Sequence, residues 1–144
     1  MPSTPTAITA EAPDPIARSR LIEAVRFDSH GLVPCIAQQH NTGEVLMMAW
    51  MNRAALAETL ATGRVTYWSR SREALWRKGD TSGQVQHLVD LRLDCDGDTL
   101  LALVDQTGVA CHTGRRSCFY RALRAGELAE LTQPEADPEQ LYGR

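Results

Sequence analysis

The 144-residue chain contains no apolar run approaching the roughly 20 residues that a membrane-spanning helix requires. No Lys or Arg precedes Arg18 and no long apolar segment lies near the N-terminus, so the pattern of a secretory signal is missing. Positive charge is not in excess either. The 15 basic and 18 acidic residues give a net charge of -3, which argues against a general nucleic-acid binder. There is no Gly-x4-Gly-Lys-Ser/Thr phosphate loop, no Cys-x2-Cys pair, no internal repeat and no low-complexity tract. These absences point to one cytoplasmic domain with neither a nucleic-acid nor a membrane partner, whose four cysteines are thiols or metal ligands rather than disulfides. With 43% hydrophobic residues, a chain of this length can bury roughly 70% of its unfolded surface without crosslinks.

Residues 1–15 read as a flexible tail, carrying Pro2, Pro5, Pro13 and Pro15 and no periodic apolar face. Residues 16–27 read as a short amphipathic helix with Leu21, Ile22 and Val25 on one side. Strands over 32–38 and 44–51 flank the turn residues Asn41, Thr42 and Gly43 and form a hairpin. Asn52 is suited to cap a helix over 53–61, and Gly63 to end it. Residues 64–70, rich in Val, Thr, Tyr and Trp, read as a strand, and 71–84 as a polar loop. Strands over 85–95 and 99–105 form a second hairpin around Asp96 and Gly97. Residues 109–123 hold Cys111 and Cys118 among basic side chains. The last twenty residues are acidic and read as a short helix and a loose end. The expected organisation is a domain over 16–130 with a loose end at 131–144. Its class is α+β, a small single domain dominated by antiparallel strands with a few short helices.

The densest chemical signal is Asp94-Cys95-Asp96-Gly97-Asp98. In an extended chain, alternation sends Asp94, Asp96 and Asp98 to one face and Cys95 to the other. Three carboxylates suit a hard cation such as Mg²⁺, while a thiolate suits a softer one such as zinc. The same residues also make an ordinary hairpin turn, and taken alone they favour that reading.

Cys95, Cys111 and Cys118 are spaced Cys-x15-Cys-x6-Cys. Three ligands with an open fourth position describe a catalytic zinc site, which acidifies bound water towards a pKa of ~7. His112 could close such a site as a fourth ligand, or act beside it as an acid or base. Buried core thiols are an equal alternative for all three, and the simplest reading of Cys35. Two clusters mix basic side chains, hydroxyls and glycine in a way that suits phosphate. One runs from Trp68 through Arg70, Arg72 and Lys78, and the other holds Arg115 and Arg116. The tryptophans could stack on a base. For each cluster alone, a solvated loop over aromatic packing is the blander reading.

Together the strings GEVLMMAWMN, TGRVTYWSRSREALWRKGDTSG, LRLDCDGDTLLALVDQ and GVACHTGRRSCFYR closely resemble the phosphoribosyl-AMP cyclohydrolases of histidine biosynthesis, from about Phe27 to Arg121. The resemblance implies hydrolysis of the N1–C6 bond of N1-(5-phosphoribosyl)-AMP by a homodimeric enzyme needing zinc and Mg²⁺. It assigns Cys95, Cys111 and Cys118 to zinc, with Cys95 supplied by the other subunit, and Asp94, Asp96 and Asp98 to magnesium. His112 is then the candidate proton carrier, and Trp68, Arg70, Arg72, Lys78, Arg115 and Arg116 are candidate substrate contacts. Gln84 departs from the His or Asn often found in the family and touches at most a substrate contact. The chain also stops before the pyrophosphohydrolase domain to which the family is sometimes fused, which implies a single activity. Two rivals remain. A zinc-stabilised binding module would close its site with His112 and leaves the three aspartates unexplained. A nucleotide deaminase would carry His-x-Glu with Pro-Cys-x-x-Cys, which is absent.

Overall fold

The computed structural model describes residues 14–142. In chain order the elements are α1 (Pro15–Ala24), β1 (Val33–Gln39), β2 (Val45–Met51), α2 (Arg53–Thr62), β3 (Thr66–Ser69), β4 (Ala74–Arg77), β5 (Gln86–Leu93), β6 (Leu100–Gln106), β7 (Arg121–Arg124), β8 (Glu127–Glu130) and α3 (Pro138–Tyr142). The class is α+β, and antiparallel pairs dominate. The expected tail lies almost wholly outside the described residues. None of the described helices is long and apolar enough to cross a membrane.

Alternation builds the central strand. Val33, Cys35, Ala37 and Gln39 of β1 are buried while the residues between them are half-buried. β2 pairs antiparallel with β1, after a turn that Gly43 completes at φ +81°. The main sheet has the order β2-β1-β6-β5, with β1 and β6 parallel. That one parallel pair joins strands far apart in the chain, so no local turn signal announces it.

Helix α2 closes the core over this sheet. Asn52 caps it by accepting the Ala55 N–H at 2.8 Å, and Gly63 ends it in the left-handed region at φ +74°. Its buried residues are Ala55, Leu56, Thr59 and Leu60, the stripe that a 3.6-residue period provides. They pack with Val33, Leu46, Met51, Val65, Tyr67, Leu100 and Val104. Thr59 is buried without penalty because its hydroxyl donates to the Ala55 carbonyl and accepts the Thr66 N–H at 2.9 Å.

Three expectations need correction. The first helix stops at Ala24. Val25 is already extended and leaves the helix axis to enter the core, with Leu21 and Ile22 packed against it. The polar stretch 71–84 contains β4, which pairs with β3 through a turn where Glu73 sits at φ +49°. Only Ala74, Leu75 and Trp76 are apolar there, too short a run to show a period. Trp76 is nonetheless anchored by the Tyr67 ring, centroid to centroid 4.9 Å. Finally, β7 and β8 form a hairpin in a region given no strand by the sequence, with Leu123 opposite Leu128 and both largely exposed.

The sheet has two functional ends. The turn at 94–99 joins β5 to β6 at one end, and the segment 107–120 leaves β6 at the other. Between them, the seven residues of β6 span about 20 Å at ~3.3 Å per residue.

Candidate active site

The segment after β6 folds back on itself. The Ala110 and Cys111 N–H groups donate to the Arg116 and Arg115 carbonyls, each at 3.0 Å, and the Gly114 N–H donates to the Cys111 carbonyl. Gly114 stands at φ +86°, and a Cβ there would fall on the Ala136 carbonyl, so the turn requires glycine. Folding back brings Cys118 close enough to Cys111 for the two thiols to feel each other's charge. The Thr113 hydroxyl donates to Cys111 Sγ at 3.1 Å.

Lys78, the only lysine in the chain, is buried beside the two thiols. Burial pushes its pKa down, while the sulfurs of Cys118 and Cys111 pull it up. The Cys118 residue is exposed overall, yet its thiol loses water against these neighbours. Burial first, then the Cys111 charge and hydrogen bond, push it up to about 12, with Lys78 opposing. Two sulfurs crowded in this way resist ionising together unless a cation joins them, and the donor set fits a soft ion such as zinc.

A cleft of ≈ 540 Å³ opens next to this pair. Arg72, Trp76, Lys78, Thr81 and Ser82 line one rim, and His112 the other. Of the expected substrate contacts, Arg72 and Lys78 therefore share this cleft with His112. Trp68 and Arg70 line a different cleft of ≈ 440 Å³ with His30 and Trp50, where the Arg70 guanidinium lies 4.9 Å from the Trp50 ring centre.

Arg115 and Arg116 are committed to the fold. Arg115 is buried, donates to the Thr132 carbonyl at 3.0 Å and Glu130 at 3.1 Å, and stacks 3.9 Å from the Tyr120 ring centre. Arg116 donates to the Gly108 carbonyl at 2.6 Å and the Gln106 carbonyl at 3.2 Å, and pairs with Glu44. In this chain both brace the cysteine segment. The Gln84 side chain turns inward, and its Oε1 accepts the Val109 N–H at 2.8 Å.

At the opposite end of the sheet, Asp94, Asp96 and Asp98 each place a carboxylate oxygen within 4.8 Å of the others. The route differs from the alternation expected of a strand. This segment is a turn, closed by the Gly97 N–H donating to the Asp94 carbonyl, with Gly97 at φ +79°. Asp94 Oδ1 accepts the Asp98 N–H at 3.0 Å and the Thr99 N–H at 3.2 Å. Desolvation pushes Asp94 up, but these donors hold it below the usual carboxylate range. Asp98 is held above it, by the Asp96 hydrogen bond first, then by desolvation and the Asp94 charge. Exposed, crowded oxygens of this kind fit a hard, partly hydrated cation. Cys95 is exposed on this same turn. Among the described residues Cys95, Cys111 and Cys118 of one chain do not come together as a three-donor group.

Sequence reasoning missed Thr113 and the cleft residues Thr81 and Ser82. Thr113, two residues after Cys111, was the one with a visible signal.

A family model described as phosphoribosyl-AMP cyclohydrolase matches residues 47–120. A phosphoribosyl-AMP cyclohydrolase of Rhodospirillum centenum is 71% identical over 124 residues, covering 86% of this chain and 93% of that protein. One from Granulibacter bethesdensis is 68% identical over 126 residues, covering 87% and 98%. One from Halorhodospira halophila is 61% identical over 135 residues, covering 94% and 95%. The match spans β2 to the cysteine segment and so includes the thiol pair, the cleft and the aspartate turn, and the chain belongs to the phosphoribosyl-AMP cyclohydrolase family of hydrolytic enzymes.

Proposed function

We propose that the chain opens the adenine ring of N1-(5-phosphoribosyl)-AMP by hydrolysing its N1–C6 bond, a cytoplasmic step of histidine biosynthesis. Family membership supports the reaction. The observation that carries the site is the Cys111–Cys118 thiol pair beside a cleft bounded by His112 and Lys78.

Cys111 and Cys118 would hold zinc together with the partner subunit's Cys95, and Asp94, Asp96 and Asp98 would hold Mg²⁺. A homodimer supplies the third thiol by symmetry, giving two equal sites. When bound, zinc supplies a water acidified towards neutral pH, the nucleophile that a poor electrophile such as adenine C6 needs. The chain's own residues do the rest. Alkylation at N1 leaves the ring positively charged, and this activates C6. His112 delivers a proton to N1 as the N1–C6 bond breaks, while the oxygen added at C6 remains as a carboxamide. Arg72 and Lys78 neutralise phosphate oxygens, and Trp76 offers a face to the base. Trp68 and Arg70 act on the same substrate when the second copy brings their cleft to it.

The direct test mixes purified protein, Zn²⁺ and Mg²⁺ with phosphoribosyl-AMP and follows the opened product by ultraviolet absorbance, beside a chelator-treated control. Metal-dependent product is the expected result. Folded, zinc-loaded protein that forms no product, or that releases ammonia instead, overturns the reading.

A further inference from the structure

Four glutamines join the two rims of the cleft from beneath. The Tyr67 hydroxyl donates to Gln86 Oε1 at 2.7 Å, and Gln86 Nε2 donates to Gln106 Oε1 at 2.9 Å. Gln106 Nε2 then lies within 3.4 Å of the Gln84, Val85, Thr107 and Val109 carbonyls. Gln39 Oε1 accepts the Gln106 N–H at 2.9 Å. Gln39, Gln86 and Gln106 are all buried. A hydroxyl at one end and carbonyls at the other fix the direction of the chain, so each amide has one orientation.

Gln84 completes the link. It follows Ser82 of one rim, and its Nε2 donates to the Ser82 carbonyl at 3.3 Å. Its Oε1 accepts the Val109 N–H, two residues before Cys111 and three before His112. Gly108 stands at φ +65°, a conformation that favours glycine, and a Cβ there would fall on Gln84 Oε1 and displace it. One side chain thus ties the Thr81–Ser82 rim to the start of the cysteine segment.

We propose that Gln84 is a positioning residue: it fixes the separation of the two cleft rims, and with it the placement of His112 over the bound substrate. This rests on the function proposed above. The Gln84 side chain is engaged with the Ser82 carbonyl and the Val109 N–H. It acts through Val109 and the backbone that carries His112, so its removal displaces a proton donor rather than a binding group.

The test uses Gln84→Ala and Gln84→Glu in the full, metal-loaded chain. Glutamate keeps an oxygen for the Val109 N–H and alanine does not. Two readouts are taken: steady-state turnover of phosphoribosyl-AMP and backbone hydrogen exchange over 107–113. For alanine, kcat falls about tenfold while KM changes less than about threefold, because an interaction felt in the transition state is lost. Exchange at Val109 and its neighbours quickens by a similar factor without a matching change in the main sheet. Glutamate restores both. Unchanged kcat, unchanged exchange at Val109, or equal defects in the two variants overturns the proposal. If the unaltered protein turns over no phosphoribosyl-AMP, the proposed function fails, and the exchange comparison alone decides whether Gln84 holds the rims together.

Discussion

The Cys118 N–H donates to the Leu46 carbonyl at 2.7 Å, tying the second cysteine of the pair to the first turn-side residues of β2. Leu46 is fully buried, so its backbone is among the least mobile points of the sheet. The thiol therefore inherits its position from the core. Pre-organisation of this kind allows a metal site to form without the loop having to find its shape on binding.

Cys118→Ser is expected to retain the fold, lose zinc and lose turnover. Elemental analysis beside a melting curve separates loss of metal from loss of structure.

Shared ligation makes a sharper forecast. Cys95→Ala and Cys118→Ala proteins are each inactive, and random exchange of their subunits leaves about a quarter of all sites intact, one in each hybrid dimer. Activity near a quarter of the unaltered enzyme is expected once exchange is complete. Proven exchange with no recovered activity counts against a thiol shared between subunits.

His112→Ala should keep its zinc, since His112 is exposed and faces the cleft. Its kcat should fall by roughly 10²–10⁴-fold, the usual contribution of a positioned acid or base. Full turnover in zinc-loaded protein would remove His112 from the mechanism.

Gly63→Ala isolates a backbone effect. Nothing lies within 4 Å of the added Cβ, so no clash occurs. The cost is the left-handed conformation at φ +74°, about 1 kcal/mol, read as a lower denaturation midpoint with an unchanged slope.

Alkaline stability should report Cys35. Burial pushes this thiol from its ordinary 9.0 up to about 12. Below pH 9 both folded and unfolded chains keep the proton, and stability does not depend on it. Between pH 9 and 12 the unfolded chain releases the proton while the folded chain retains it, so stability falls as pH rises. The buried Tyr67 hydroxyl, also raised by desolvation, adds in the same direction above pH 10. Cys35→Ala, compared with the unaltered protein by urea titration across this range, should flatten the decline. An equal slope in both would assign the loss elsewhere.

Much of the scaffold was legible because its signals are local. Asn52 and Gly63 bracket a helix by chemistry that acts within a few residues, and Gly43 and Gly97 mark turns for the same reason. The β1–β6 pairing was not legible, since it depends on strands some sixty residues apart meeting in the core. β4 was hidden by its polar flanks. Within the site, the types of side chain were visible but not their uses. Arg115 and Arg116 stand out as basic in a string of letters, but their bonds to Glu130, Glu44 and backbone carbonyls are visible only in the fold. Gln84 read as at most a substrate contact, because its inward bond to Val109 depends on a segment twenty-five positions later. The aspartates do meet, through a turn held by the Asp98 and Thr99 N–H groups rather than through strand alternation.

Lys78 carries a practical consequence. Because every other basic side chain is arginine or histidine, an amine-selective reagent has one side-chain target in the whole protein, and that target is walled in by the sulfurs and the cleft. Acylation at this position is expected to act as a single-site occupancy gauge, slower when the cleft is filled than when it is empty, and readable as one mass increment on the Lys78 peptide.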